Sequence, residues 1–193
     1  MFGTLYVVDQ ENVVDPLFNF INGKLDNEMG AVPFSNDTNM EAQTSAPVND
    51  GAWHCMIVGI DTSSLKTKVY IDDVDVTNII MPATVPYHVG GNGLEAWIGT
   101  DGFDAFVGDL SDFRVFYVNS LLDGSGDIPL ATRRLFRTAD GKPVDPAVAT
   151  AALGTAGTVS LSGDSSGFAT NQGTGGAFTT TGTLTNAATS PSN

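Results

Sequence analysis

The chain has 193 residues, enough for one domain with a real core and cramped for two. Eight Lys plus Arg stand against 22 Asp plus Glu, a formal net charge of −14, which opposes nucleic-acid binding because phosphate contacts need cationic side chains that release counterions. Charged residues make up only 16% and Gly, Ser, Thr and Asn are abundant, a composition that suits a turn-rich β protein better than a helical one.

The single cysteine, Cys55, excludes an internal disulfide, and its place in an apolar run predicts a buried thiol. The first fifteen residues lack a basic flank and meet Asp9 and Glu11 before an apolar core of signal length. No run is long enough to span a bilayer, so the sequence predicts synthesis in the cytoplasm and no membrane partner.

Residues 2–8, FGTLYVV, predict a strand and residues 9–15 a turn. Pro16 opens a second run, LFNFING, which ends in the hairpin signal Asn22-Gly23. Leu17, Asn19 and Ile21 fall on one face and Phe18 and Phe20 on the other, so this strand is packed on both sides or lies against a neighbouring subunit. Residues 31–51, with Pro33 and Pro47 among many polar residues, predict a long loop with a short strand around 40–44.

In residues 52–76, AWHCMIVGI predicts a continuous apolar strand and Asp61-Thr62-Ser63-Ser64 a turn. Leu65, Thr67, Val69 and Ile71 then alternate with Lys66, Lys68, Tyr70 and Asp72, which places the first set in a core and the second in water. Asp72-Asp73 makes the next turn, where Gly is cheaper because a left-handed backbone costs other residues about 1 kcal/mol. Beyond Pro82 and Pro86, residues 87–93 predict a glycine-rich loop, 94–98 a strand, Asp101-Gly102 a turn and 103–118 a long strand. The stretches 94–118 and 52–76 are expected to pair at the centre of an antiparallel β-sandwich.

Residues 130–138, LATRRLFRT, predict one short helix stopped at Asp140-Gly141. It carries Arg133, Arg134 and Arg137, the most closely set cations in the chain, for which a solvated helix face or salt bridges to nearby acids are expected, with an anion or partner contact the alternative. Pro143 and Pro146 bracket a linker, and 147–153 suggests a further helical turn. From Gly154 onward the composition is that of a flexible extension, but 159–164 and 177–185 predict strands, the latter with Phe178, Thr180, Gly182 and Leu184 alternating. The expected organisation is a β-sandwich over 1–153 and a C-terminal extension over 154–193, whose strands complete the sandwich or reach a neighbouring subunit.

A glycoside hydrolase on such a frame needs two carboxylates on one face. Asp73 and Asp75 have the spacing but lie in a turn, and Asp109 and Asp112 point to opposite faces of a regular strand. His54 and His88 are the only histidines and are not spaced as a ligand pair. Calcium binding would draw on Asp72, Asp73, Asp75, Asp101 and Asp104, if their loops meet. Gly90-Gly91-Asn92-Gly93 lacks the lysine and following helix of a phosphate loop. Tyr87, Trp97, Tyr117 and Trp53 are candidate platforms for a sugar ring, with core packing the alternative for the two tryptophans. Phe18, Phe20, Phe116 and Phe178 are candidate subunit contacts, with packing inside the subunit the alternative. Beyond the calcium option, no catalytic residue, metal or cofactor is expected.

Two stretches carry a family pattern. GAWHCMIVGIDTSSLKTKVYIDDVDV (51–76) resembles the Gly-x-Trp-His and Tyr-x-Asp-Gly strand signature of concanavalin A-like, laminin-G-like jelly-roll domains, and IGTDGFDAFVGDLSDFRVFYV (98–118) resembles their closing strand. RRLFRTADGKPVD (133–145), followed by VSLSGDSSGFATNQGTGGAFTTTGTLT (159–185), is similar to a subgroup in tailed-phage and prophage virion proteins. The resemblance spans residues 51–191. It implies an all-β antiparallel jelly roll and a non-enzymatic bacteriophage virion protein, a capsid or tail decoration subunit in contact with the major capsid or tail protein and with copies of itself as a homo-oligomer. The fold's other common use is an adhesin for host-surface glycan. Asp73 stands where the family has Gly, and the opening strands of the phage proteins have no counterpart in this sequence. An open sheet edge is therefore expected, filled by the N-terminal strand or the C-terminal tail of this subunit or of a neighbour.

Overall fold

A computed structural model of the chain describes residues 5–8, 14–16, 19–21, 24–29, 40–43, 52–61, 64, 66–77, 79–81, 95–98, 109–116 and 121–191. Among the described residues strand far outweighs helix, with two short helices, and every strand pairing is antiparallel. The strands are β1 (Leu5–Val8), β2 (Val14–Pro16), β3 (Asn19–Ile21), β4 (Lys24–Met29), β5 (Met40–Gln43), β6 (Met56–Asp61), β7 (Lys66–Ile71), β8 (Val74–Asp75), β9 (Ile79–Met81), β10 (Glu95–Ile98), β11 (Phe113–Val115) and β12 (Val159–Leu161). The helices are α1 (Leu130–Arg133) and α2 (Pro146–Leu153). Four sheets result, in the orders β10-β1-β2, β3-β4-β5-β9, β6-β7-β8 and β11-β12.

Several sequence expectations are corrected by this pairing. Residues 52–76 fold back on themselves as β6-β7-β8, while β10 pairs with β1 and β11 with β12, so the expected central pairing of 94–118 with 52–76 does not occur among the described residues. Residues 14–15, expected as the end of a turn, form strand β2 together with Pro16, which closes it opposite Tyr6 rather than opening the next strand. β2 is an edge strand, the position in a sheet that tolerates a proline. The hairpin signal Asn22-Gly23 fits the register, since Ile21 lies opposite Lys24. Of the long strand expected over 103–118, Phe113–Val115 is strand, 109–112 is not, and the remainder lies outside the described residues except Phe116.

The best-defined core lies on one face of the β6-β7 hairpin. Ile57 sits opposite Tyr70 in the register, and opposite residues in an antiparallel pair share a face. Ile57, Tyr70 and Ile128 form a buried cluster against which Cys55, Leu121, Leu122 and Phe136 pack. Gly59 lies on this face because a Cβ there would come within 2.7 Å of Leu122 Cδ2 and 3.1 Å of Ile128 Cδ1. The expected alternation in β7 holds for Thr67, Val69 and Ile71, all buried, but Tyr70 is buried as well, because residues 121–136 cover the face that the pattern assigns to water. Tyr70 keeps its hydroxyl satisfied by donating to Asp127 Oδ1 at 2.6 Å. Burial first, and then this bond to a carboxylate, push its pKa up to about 12.

The helical segments are shorter or better defined than expected. Over 130–138 only Leu130–Arg133 is regular helix, and the chain continues in tight turns with Leu135 donating to Thr132 O and Phe136 to Arg133 O. The further helical turn expected over 147–153 is observed as the helix α2, which begins at Pro146. Asp145 caps it by accepting from Ala147 N at 2.8 Å, Pro146 occupies its first turn, where a missing N–H costs nothing, and Gly154 ends it at φ 72°.

The C-terminal extension divides into two parts. Of the strand expected over 159–164, Val159–Leu161 is strand with all three residues buried, and 162–164 are not strand. Residues 177–185 are not a strand, which corrects that expectation: five of nine are Thr, a strand-favouring residue, but no described strand offers them a ladder. Between them, NQGTGG (171–176) closes the free edge of β12. Gln172 N donates to Ser160 O, Gly175 N to Thr158 O, and Asn171 Oδ1 accepts from Ser160 N at 2.9 Å. The glycines are required by proximity rather than by φ, since a Cβ at Gly173 or Gly175 would stand 2.7 or 2.6 Å from Thr158 O. Gly175→Ala is therefore expected to cost about 2 kcal/mol, because the clash is with backbone that no rotamer change relieves. A urea-unfolding midpoint equal to that of the unsubstituted chain would show that this edge cover contributes nothing.

Candidate functional site

Among the described residues, a dense group of polar side chains is built on the β7-β8 turn. Ile71 lies opposite Val74, which leaves Asp72 and Asp73 as a two-residue hairpin loop. Their φ values of 49° and 69° are both left-handed, as a type I′ turn demands. Aspartate tolerates this region better than most residues, and both carboxylates are used.

Asp72 holds the chain entering β6. Its Oδ2 lies 2.6 Å from His54 Nδ1 and its Oδ1 accepts from Cys55 N at 3.0 Å, while its own N–H donates to Cys55 O. A carboxylate only accepts, so the proton of His54 resides on Nδ1. Asp73 holds the helical segment. It accepts from Arg133 Nη1 at 3.1 Å, Arg134 Nη1 at 2.7 Å and Arg137 Nη1 at 2.7 Å. Arg133 Nη1 also donates to Asp73 O, Arg133 Nε donates to Ile128 O, and the guanidinium stacks 3.9 Å from the Tyr70 ring centre. Arg137 Nε lies 3.6 Å from Asp72 Oδ1. Burial alone would raise the Asp73 carboxyl, but the hydrogen bond from Arg134 and the charges of Arg134, Arg137 and Arg133 override it and hold the pKa below the usual carboxylate range. The salt-bridge role expected for the three arginines is thus observed, with one shared acceptor.

Neighbouring charges are also internally matched. Lys68 Nζ reaches Asp75 Oδ2 at 2.5 Å. Burial opposes ionisation of Asp75, and the bonds from Lys68 and Thr77 outweigh it and lower its pKa. Arg114, its side chain only 7% exposed, donates to Val144 O at 2.9 Å and lies 3.5 Å from Asp112 Oδ1. Residues 109–112 are not strand and Asp112 has φ 50°, so a face assignment for Asp109 and Asp112 based on strand geometry does not apply.

Three of the five calcium candidates, Asp72, Asp73 and Asp75, are therefore engaged by cationic side chains, and Asp101 and Asp104 lie outside the described residues. Among the described residues no group of three potential metal ligands converges. Of the sugar-platform candidates, Tyr87 and Tyr117 lie outside the described residues and Trp97 falls on β10 opposite Tyr6. Trp53 is half-buried and donates from Nε1 to Thr189 Oγ1 at 2.9 Å. Of the subunit-contact candidates, Phe18 lies outside the described residues and Phe20 falls on β3 opposite Leu25. Phe116 packs within the chain, edge-on to Phe136 with ring centres 5.8 Å apart, and Phe178 is half-buried in an irregular segment. His88 also lies outside the described residues.

Cys55 shares the core face with Ile57. Its thiol is pushed up to about 11, first by burial, with the charges of Asp72 and Asp73 adding to the effect and Arg137 opposing it. A thiol with its pKa so raised carries little of the reactive thiolate at neutral pH. Alkylation of the folded chain at pH 8 is expected to be at least about tenfold slower than in urea, where the thiol regains an ordinary pKa. Equal rates would place the thiol outside the core. A groove of about 600 Å³ beside α2 is lined by Asp145, Thr150, Ser160, Ser162 and Gln172 among others, but its carboxylate is the α2 cap, already bonded to Ala147 N.

No helix among the described residues is long and apolar enough to cross a membrane. No family model, curated protein or solved structure matches the chain.

Proposed function

We propose that this chain is a non-enzymatic structural subunit of a tailed-phage particle, its strands arranged as a concanavalin A-like jelly roll on the capsid or tail surface. In that setting its partners are the major capsid or tail protein and copies of itself. The observation that carries this reading is the use of Asp73: the carboxylate best supplied with cationic partners is consumed in fixing one part of the fold to another. The same holds for Asp72, Asp75 and Asp145, each of which is bound to a group of its own chain. Polar chemistry spent on rigidity, in an acidic body whose extension carries a single charged side chain, Asp164, fits a building block better than a catalyst.

The reading is tested by adding purified chain to particles assembled without it. Saturable uptake in a fixed number of copies per particle is expected, and uptake that never saturates, or none, counts against it. A saccharide array on the same preparation separates the adhesin alternative, for which saturable binding to a defined glycan would be the signature.

A further inference from the structure

We propose that residues 177–191 form an exchangeable arm, and that a second copy of this chain receives it at Trp53. Up to Gly176 the extension is fixed by backbone bonds to β12, and Asn171 Nδ2 donates to Gly176 O at 2.9 Å. Beyond that point the chain is neither helix nor strand. Exposed hydrogen bonds return it to the body, among them Ser165 N to Asn186 Oδ1 at 2.8 Å and Trp53 Nε1 to Thr189 Oγ1 at 2.9 Å, the latter between residues 136 apart in sequence. Ser190 makes a further contact, and Phe178 is half-buried, whereas Leu184 is 42% exposed.

Each exposed hydrogen bond offsets the ordering of about one residue's backbone, so these contacts balance only part of the entropy lost by the arm. An arm held so lightly leaves its seat readily, and the same seat on another copy offers identical contacts. Two features favour that copy as the partner. No charged side chain occurs after Asp164, so the arm approaches a second acidic body without the repulsion that the rest of the chain feels. A segment of about a dozen residues also extends to roughly 40 Å, well beyond the radius of gyration of about 16 Å for a domain of this length. The exchange does not depend on the particle reading, because it needs only two copies of the chain.

The test uses full-length chain with a photoreactive benzoylphenylalanine in place of the exposed Ala188. Normal and isotopically heavy preparations are mixed in equal amounts, irradiated across a range of concentrations, digested and weighed. Cross-links from the arm to the peptide containing Trp53 are expected, with mixed light–heavy pairs rising with concentration toward about half of the total, the statistical limit for exchange between copies. Same-label pairs alone at every concentration, or no pairs at Trp53, would overturn the proposal. Trp53→Phe, which keeps a ring but removes the N–H, is expected to lower the yield at that peptide several-fold, and an undiminished yield would remove Trp53 as the receptor.

Discussion

Replacing Asp73 with alanine is expected to destabilise the chain by about 3 kcal/mol, the scale for removing one partner from a largely buried ionic group. Three guanidinium groups share this carboxylate, and the side chains of Arg133 and Arg137 are only 11% and 15% exposed, so they cannot simply turn to water. Arg134 is 32% exposed and screened, so Arg134→Ala should cost much less, about 1 kcal/mol or below. Asp73→Gly separates backbone from charge. It relieves the left-handed φ of 69°, which alanine tolerates badly, and should recover about 1 kcal/mol of the alanine loss while remaining below the unsubstituted chain. A glycine variant as stable as the parent would mean that turn strain outweighs the ionic contacts.

The pH dependence follows from the lowered pKa of Asp73. A carboxyl more acidic when folded than when unfolded adds stability in full above the unfolded pKa, near 4, and loses it as pH falls through the folded value. Asp73→Asn, which suits the left-handed turn but carries no charge, should therefore differ most from the parent at neutral pH and converge with it in acid. Melting curves from neutral pH downward measure this directly.

The second large effect is expected at Ile128, which is completely buried against Ile57 and Tyr70. Ile128→Ala should cost about 3 kcal/mol, combining lost apolar transfer with the cavity left behind, and Ile128→Val about 1 kcal/mol. Gly59 gives an independent check on this packing. A methyl group at Gly59 points at Leu122 and Ile128, so Gly59→Ala should be less harmful when combined with Ile128→Ala than the two single costs predict. Strict additivity would show that the two positions do not share the same space.

Strand content was readable wherever local chemistry and pairing agreed. The alternation over Thr67, Val69 and Ile71, the Asn22-Gly23 signal and the apolar run 52–60 each mark an observed strand or register, although residues 52–55 of that run are not strand and Asp61, expected in the turn, is. The strand Lys24–Met29, KLDNEM, was not legible, because four of its six residues are Lys, Asp, Asn and Glu and its place is set by β3 and β5 on either side. The partner of β11 was equally hidden. Pairing across more than forty residues leaves no local mark, and β12 lies in a stretch whose composition suggests disorder.

At the polar site, the sequence held one informative oddity, Asp73 in a turn where glycine is easier. Beside it stood Arg133, Arg134 and Arg137, at a spacing that puts them on one side of a helical turn. Composition treated these as separate features. Their shared purpose became visible only when residues 121–144 folded over the hairpin and brought three cations to one carboxylate. The covering of Tyr70 has the same origin, since a period-two pattern records one sheet face and not what later chain lays across the other.

The most direct test of the proposed structural role is quantitative mass spectrometry of purified tailed-phage particles produced together with the chain, after washing at high salt. A structural subunit is predicted to remain in a fixed integer ratio to the major capsid or tail protein. Loss of the chain from the washed particle, or a ratio that varies between preparations, would contradict that role.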